Sequence, residues 1–330
     1  MKLPTLGLPE RNTLVILGAG ATRGASFVES DAHVAPPLDL DFFQVLQMSA
    51  TGRTTEGRQL IDHVRTVYGS ALGVGLETVL NNLDAARVFH RTFKIAKGRH
   101  LEEPIRLLDA MREVLPSLLG ETITGPCTHH QALSEQIRTT DAVISLNYDC
   151  VIDRALADHA GFRFDPERGG YGVASDPTGV AKWRNTGRGK RPQGSILLLK
   201  LHGSLNWRAP SIPLRLRSEP YMTVANGVIA PPLTNKPVEA EPFVSIWREA
   251  RRAIGRMRRL IIIGYSMPDA DGLVRTLFAT DLSPFLEDII LVDPSVAVRE
   301  KHIGLFTRIA PQARVYPFSS WVQFERVLAQ

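Results

Sequence analysis

The chain has 330 residues with a net charge of +5; 44% are hydrophobic and 22% charged, an ordinary balance for a globular protein. No run of 18 apolar residues occurs, which argues against a membrane span, and the first residues lack the basic-then-apolar order of a signal peptide. The two cysteines form no C-x-x-C pair and are too few for a four-thiolate zinc site or a disulfide framework. We therefore expect a cytoplasmic protein without zinc.

The first predicted strand runs from Thr13 to Leu17, a short apolar and β-branched segment that stops at a glycine-rich turn. Gly18 and Gly20 permit a tight turn and the close approach of a phosphate to backbone amides. The turn is not a full G-x-G-x-x-G motif, because Arg23 stands where the third glycine would be. A structural turn and a nucleotide-binding loop fit this segment equally well. Arg23 either pairs with a phosphate or ribose or faces solvent.

Residues 38–120 change character, since strand-like runs become rare and apolar residues recur at helical spacing. We interpret this region as an inserted helical module of about four helices. Pro104 and Pro116 fit helix starts or stops within it. The residues that carry the spacing are Leu76, Val79, Leu80, Leu83, Ile105, Leu108 and Met111.

Two further strands are predicted at residues 142–146 and 196–199, and each is followed by polar residues. Asn147 and Asp149 follow the first, and His202 follows the second. Alone, an Asn-x-Asp is usually a turn or helix cap, and a lone histidine is more often structural than catalytic. Together, downstream of a glycine-rich turn, they make a more specific set.

The last third of the chain continues the alternation of helices and strands. A clear amphipathic helix begins at Phe243, a strand covers residues 260–263, a helix covers 269–280 with Asp269 near its N-cap, and a strand covers 288–292. Such alternation predicts an α/β fold, a Rossmann-like doubly wound parallel sheet built from residues 1–37 and 121–330. Ligands of such sheets bind at the carboxyl ends of the strands, where all the polar motifs lie.

Taken together, the motifs resemble the sirtuin-like family, in particular the bacterial sirtuin-like NAD+ hydrolases of anti-phage defence. The matching segments are GAGAT with Arg23-Gly24-Ala25, Leu76-Glu77, SLNYD at 145–149, KLHGSLNW at 200–207, APPLTNK at 230–236 and IIGYSMPDAD at 262–271.

The resemblance implies a role for each matching residue. Asn147 and Asp149 match the acid-amide pair beside the nicotinamide ribose, and His202 matches the general base. Asp293 falls where a polar residue contacts the adenine ribose. The remaining expected cofactor-binding residues are Gly18, Ala19, Gly20, Ala21, Thr22 and Arg23 at the phosphates and Gly264 and Ser266 on the adenosine side.

The chain departs from protein-deacetylating sirtuins, because it lacks their four-cysteine zinc ribbon. The helical module and a flexible basic loop at 163–195 are expected in its place. This departure favours cleavage of NAD+ by water, with NAD+ as substrate. A protein deacylase or ADP-ribosyltransferase, and a non-catalytic nucleotide-sensing assembly subunit, remain as alternatives.

Uncontrolled NAD+ cleavage would harm the host, so we expect activation by self-assembly or by a separate partner. The resemblance implies a HerA-type ATPase or an Argonaute-like nucleic-acid sensor as such a partner, and a homo-oligomer as the assembly. Two basic stretches are candidate contact surfaces, although both also fit solvated segments. They are Lys182, Arg184, Arg188, Lys190 and Arg191, and Arg248, Arg251, Arg252, Arg256, Arg258 and Arg259.

Overall fold

The computed structural model describes residues 12–27, 34–93, 99–159, 164, 170–174, 184–185, 196–208, 227–229, 238–239, 241–269 and 271–328. The strands are β1 Thr13–Leu17, β2 Ala142–Ser145, β3 Val173–Ala174, β4 Arg184–Asn185, β5 Leu197–Lys200, β6 Gly203–Arg208, β7 Gly227–Ile229, β8 Arg259–Ile263, β9 Asp288–Val292 and β10 Arg314–Phe318. The α-helices are α1 Ala19–Arg23, α2 Phe42–Met48, α3 Thr55–Tyr68, α4 Leu76–Phe93, α5 Arg99–Thr122, α6 Thr128–Gln136, α7 Val151–His159, α8 Phe243–Ile254, α9 Gly272–Asp281, α10 Val296–Ile309 and α11 Trp321–Leu328.

A parallel sheet of six strands, in the order β10-β9-β8-β1-β2-β5, forms the centre of the fold. The chain builds outward from β1 in one direction through β2 and β5, and in the other through β8, β9 and β10. This is the strand order of dinucleotide-binding sheets, and it confirms the predicted Rossmann-like α/β class. The direction of winding reverses between β1 and β8, so that the ligand crevice is expected at their carboxyl ends.

The apolar runs of the sequence explain why the sheet is central. Every residue of β2, β5, β8 and β9 is buried, as is all of β1 except its first residue. Strands buried on both faces require helices on both faces. One group of packed helices contains α6, α7 and α11, and a second contains α8, α9 and α10.

Helices α2 to α5 enclose a second hydrophobic core, separate from that of the sheet. It is built from α2, α3, α4 and α5 residues, and it also includes Val151 at the start of α7 and Leu205 in β6. Val151, just after Asp149, and Leu205, just after His202, therefore pack into the helical module. The assignment of 38–120 as a module inserted in the Rossmann-like domain stays an interpretation.

Two sequence-based expectations about helix boundaries were wrong. Pro104 and Pro116 lie inside α5 instead of at helix ends. An internal proline removes a backbone hydrogen bond and costs about 3 kcal/mol. The long apolar face of α5, which includes Leu107, Val114 and Leu118, packs on α3 and α4, and this burial offsets the cost.

The helix predicted to begin near Asp269 starts later, at Gly272, with Asp271 as its N-cap. Met267 has a left-handed backbone with φ of 53°, so the helix cannot extend back to this residue. The side chain of Asp269 is exposed and pairs with Arg275.

Candidate active site at the strand switch point

Three glycines bring the turns after β1 and β8 into backbone contact at the switch point. Gly264 has a left-handed φ of 59°, and a Cβ there would lie 2.1 Å from the nitrogen of Ala21. A Cβ on Gly18 would lie 2.5 Å from the carbonyl oxygen of Gly264, and Gly20 N donates to the same oxygen at 2.8 Å. Any side chain at these positions would force the turns apart.

The predicted phosphate-binding amides of this turn already have protein partners. Gly18 N donates to the carbonyl of Ile263 at 3.0 Å, Gly20 N to Gly264, and Ala21 N to the carbonyl of Gly18 at 2.9 Å. The glycines are therefore explained by the crossing of the two turns. A role of Gly18, Ala19, Gly20 and Ala21 in holding phosphates stays a prediction.

Asn147, two residues beyond the end of β2, is held by hydrogen bonds from its amide nitrogen. Its Nδ2 group donates to the carbonyl of Gly18 at 2.9 Å and to Oγ1 of Thr22 at 3.1 Å. Both amide hydrogens are thereby used, and this fixes the orientation of the amide. The buried Oδ1 has no hydrogen-bond partner among the described residues. It can accept a hydrogen bond from a hydroxyl group or a water.

Thr22 links Asn147 to Asp149. Its hydroxyl accepts from Asn147 and donates to Oδ2 of Asp149 at 2.8 Å, while Oδ1 of Asp149 accepts from Val151 N at 3.1 Å. Asp149 thus orients the turn and begins α7. The side chain of Thr22 positions two other predicted site residues, and its expected role at the cofactor phosphates stays a prediction.

His202 lies on the neighbouring strand end, beyond β5, and contacts the residue before Asn147. Its Nδ1 lies 3.1 Å from the carbonyl oxygen of Leu146, which can only accept, so Nδ1 carries a hydrogen. In neutral imidazole the proton-accepting nitrogen is then Nε2. The structure therefore brings Asn147, Asp149 and His202 together at adjoining strand ends, as the sequence predicted.

Asp271 is a site residue that sequence reasoning missed. Its Oδ1 lies 3.4 Å from Nε2 of His202, and its Oδ2 accepts a hydrogen bond from the Tyr265 hydroxyl at 3.0 Å. Burial, with the charge of Asp271 as a further cause, raises the pKa of Tyr265 well above its usual range, so Tyr265 is the donor. The only sequence signal was the position of Asp271 in the segment after β8.

A second missed feature is a fully buried ion pair behind the site. Lys200 Nζ lies 3.1 Å from Oδ2 of Asp153 and also donates to the carbonyl of Asp149. Tyr171 donates to Oδ1 of Asp153 at 2.5 Å and accepts from Asn206 at 3.2 Å. The network fixes the backbone carbonyl of Asp149, two residues from Asn147.

Two neighbouring groups are held in their neutral forms. Burial, followed by the charge of Asp153, raises the pKa of Cys150 to about 12, so it is a protonated thiol. Burial, with Asp271 and Glu77 as further causes, raises the pKa of Tyr148 well above its usual range. Cys150 is a small buried residue directly before α7, and neither group serves as a base.

The other predicted cofactor residues make protein contacts of several kinds. Arg23 donates to the carbonyl of Pro36 at 2.8 Å and pairs with Asp41 at 2.9 Å, so it ties α1 to the segment before α2. The Ser266 carbonyl accepts from Lys301 at 3.1 Å. Asp293, beyond β9, caps the next turn by accepting from Ser295 N at 2.8 Å. Their roles toward a cofactor stay predictions.

Two segments that the sequence singled out lie wholly or mostly outside the residues that the structure describes. The APPLTNK segment at 230–236 and most of the expected flexible basic loop at 163–195 belong there, including Lys182, Arg188, Lys190 and Arg191. Among the described residues, no helix is long and apolar enough to cross a bilayer, and no cluster of His, Cys, Asp and Glu side chains could hold a metal.

Comparison with known proteins supports the family resemblance. Residues 141–282 match a family model described as a SIR2-like domain. This segment is thus similar to a SIR2-like domain, and the matched residues include Asn147, Asp149, His202 and Gly264. No curated protein matches the chain.

The chain is also similar to solved structures. One comes from work on the mechanism and regulation of Sir2 enzymes, with 13% identity, a TM-score of 0.40 and coverage of 97% of this chain and 93% of the other. Two are ADP-ribose complexes of single-residue variants of a Sir2 homologue. Their identities are 15% and 14%, their TM-scores 0.35, and their coverage 97% of this chain and 93% and 92% of theirs.

Proposed function

We propose that the protein is an NAD+ hydrolase, which cleaves the bond between nicotinamide and ribose to give nicotinamide and ADP-ribose. The SIR2-like domain supports an NAD-related function. The observation that carries the proposal is the amide of Asn147, whose orientation leaves one buried acceptor oxygen beside the residue that anchors His202.

The residues fit this chemistry step by step. Asn147 Oδ1 accepts a hydrogen bond from a ribose hydroxyl or from the attacking water, and so orients it without carrying charge. As the bond from C1′ to the pyridine nitrogen breaks, its electron pair leaves with nicotinamide, which departs as a neutral molecule. Water adds to C1′, and its proton passes to Nε2 of His202. General-base assistance of this kind contributes about 10²- to 10⁴-fold.

Water is favoured as the acceptor over an acyl-lysine peptide for a reason of composition. The chain has two cysteines, Cys127 and Cys150, both buried and free. They cannot supply the four thiolates of a zinc ribbon, the module that helps to build the peptide cleft of deacetylating sirtuins. Hydrolysis needs only a water beside C1′.

The test is nicotinamide release from NAD+, followed by chromatography, with the purified chain alone and with the product of the neighbouring gene. Asn147→Ala and His202→Ala should each lower release by about 100-fold or more. Asn82→Ala and His63→Ala, on α4 and α3 away from the site, are the matched controls and should retain wild-type rates. Site variants that fold by circular dichroism and release nicotinamide as fast as wild type would exclude the proposed mechanism. Release that requires an acyl-lysine peptide would identify a deacylase instead.

We propose further that the activity serves anti-phage defence by depleting NAD+ and that assembly or a partner switches it on. A HerA-type ATPase or an Argonaute-like sensor remains the expected partner. The second basic stretch is largely neutralised, because four of its arginines pair with carboxylates: Arg251 with Asp281, Arg252 with Glu249, Arg258 with Glu287 and Arg259 with Asp288. This favours a structural role for that stretch over a role as a charged contact surface.

A further inference from the structure

The two ring nitrogens of His202 have different surroundings. Nδ1 donates to the carbonyl of Leu146, and Nε2 lies 3.4 Å from Oδ1 of Asp271. A proton taken up by the neutral ring must therefore go to Nε2, next to this carboxylate. The separation is longer than the roughly 2.7–2.9 Å of a charge-assisted hydrogen bond, so the contact can tighten when Nε2 becomes protonated.

Asp271 is buried, with 4% of its surface exposed, and capping of the helix does not account for the burial of its carboxylate. It occupies the N-cap position of α9, where a carboxylate usually accepts from a backbone amide, yet its side chain makes no such capping bond. Its oxygens instead meet His202 and the Tyr265 hydroxyl. Burying a carboxylate is costly without compensating partners, and here the partners are site residues.

The turn that carries Asp271 is fixed by its own contacts. Lys301 donates to the carbonyls of Ser266 at 3.1 Å and Met267 at 2.7 Å, and His302 Nε2 bonds to the carbonyl of Tyr265 at 2.6 Å. These contacts hold the backbone of the turn that carries the Asp271 carboxylate beside the imidazole.

We propose that Asp271 is the positioning residue of His202: its carboxylate holds the imidazole ring and stabilises the positive charge that forms on Nε2. The inference rests on the proposed function, in which His202 removes a proton from the attacking water. The proton moves from the water oxygen to Nε2, the new bond forms between that oxygen and C1′, and the electron pair of the broken bond leaves with nicotinamide.

Other charged and titratable groups near the ring come from three elements. Tyr148, after β2, has its ring centroid 6.3 Å from that of His202, and Tyr265, after β8, hydrogen-bonds to Asp271. Glu77 on α4 raises the pKa of both tyrosines as a minor cause after burial and Asp271. Within α9 itself, the cation of Arg275 acts in the opposite direction on the pKa of Tyr265. Tyr148 and Tyr265 are neutral and add no charge next to the ring. The carboxylate of Asp271 is in direct contact with the imidazole.

The experiment compares Asp271→Asn with Asp269→Asn. Asparagine suits an N-cap as well as aspartate does, so the variant removes the charge while keeping the helix start. Asp269 lies on the same turn with its side chain 96% exposed, which makes it a matched control. The rate of nicotinamide release is measured from pH 5 to 9 for each protein. Asp271→Ser, also a good N-cap, supplies the same test if the asparagine variant does not fold.

We expect Asp271→Asn to lower the maximal rate by about tenfold or more and to move the acid limb to lower pH by about one unit. The direction follows because removing a negative charge makes the imidazolium easier to deprotonate, so the base stays available in more acidic solution. Asp269→Asn should change neither quantity. A fall in rate with an unmoved acid limb would assign Asp271 a merely structural role and overturn the proposal.

A second measurement does not depend on turnover. The His202 ring signal, assigned by its loss in His202→Gln, is titrated by NMR in wild type and Asp271→Asn. Its titration midpoint should fall by about one pH unit in the variant. An unchanged midpoint refutes the role of Asp271 whether or not NAD+ is hydrolysed. A shifted midpoint in a protein that releases no nicotinamide supports the contact and contradicts the proposed function alone.

Discussion

The sheet region and the helical module differ in what they bury. Within the described side chains of residues 34–123, the buried polar side chains are those of Ser49, Thr51 and Thr122, and none is ionisable. The sheet region buries ionisable groups near the carboxyl ends of its strands, among them Asp149, Asp153, Lys200, His202 and Asp271, and a further pair, Arg259 and Asp288, at the amino ends of β8 and β9. Burying charge is costly, and apolar residues would stabilise a sheet equally well. The contrast supports the proposed placement of the chemistry at the carboxyl ends of the strands, while the module contributes apolar packing.

The largest effect is expected from breaking the buried pair of Lys200 and Asp153. Lys200→Met leaves the carboxylate without its cation, and we expect a loss of about 3–5 kcal/mol in the free energy of unfolding. The double variant Lys200→Met with Asp153→Asn should recover part of this loss, because neither member of the pair then carries a buried charge. Urea denaturation measures both.

The exposed pair of Arg251 and Asp281 supplies the matched control, and Arg251→Met should leave the unfolding curve unchanged. If both variants lost the same free energy of unfolding, buried and exposed ion pairs would not differ in their contribution to stability.

A smaller effect is expected at Thr22. Thr22→Val keeps the shape but removes the hydroxyl between Asn147 and Asp149, which leaves a buried amide donor unpaired at a cost of about 1–3 kcal/mol. The freed amide should slow nicotinamide release roughly 10- to 100-fold. Thr22→Ser should retain most of the rate, and Thr66→Val, at an exposed position on α3, should alter neither property. Full activity in Thr22→Val would show that Asn147 needs no such support.

The smallest effect is expected in the module, at Glu121. Burial alone would raise the pKa of this carboxyl, but hydrogen bonds from the backbone and hydroxyl of Thr51 and from Ala50 lower it below the ordinary 4.5. A lowered folded-state pKa gives stability that is present above the ordinary value and is lost as the pH falls through the folded value. Glu121→Gln should therefore destabilise the protein at pH 7 and match wild type at strongly acidic pH.

Thermal unfolding across this pH range checks the sign. Glu113→Gln, an exposed position on the same helix, should follow wild type throughout. A difference between Glu121→Gln and wild type that grows as the pH falls would contradict the assignment.

How far the sequence predicted the molecule depended on whether the signal was local. Buried apolar runs located β1, β2, β5, β8 and β9, and the polar residues after them located Asn147, Asp149 and His202. The prolines of α5 misled, because tertiary packing outweighed their local preference. The last elements, β10 and α11, were not predicted, since β10 alternates exposed and buried residues at the sheet edge.

The pairing of Asp271 with His202 depends on a left-handed residue and on lysine contacts that no local pattern encodes. Lys200 belonged to a recognised motif, yet only the fold reveals that Asp153, one turn into α7, meets its ammonium group. Both are contacts between residues 47 or more positions apart, and such contacts are set by the sheet order.

The two residues shared between the cores carry a consequence for regulation. Val151 follows Asp149 by two positions and Leu205 follows His202 by three, yet both pack among the helices of the module. A rearrangement of those helices would therefore move the backbone that carries Asp149 and His202. By thermodynamic linkage the coupling acts in both directions. A ligand at the strand ends that favours one arrangement of the helices will bind more tightly when a partner protein stabilises that same arrangement.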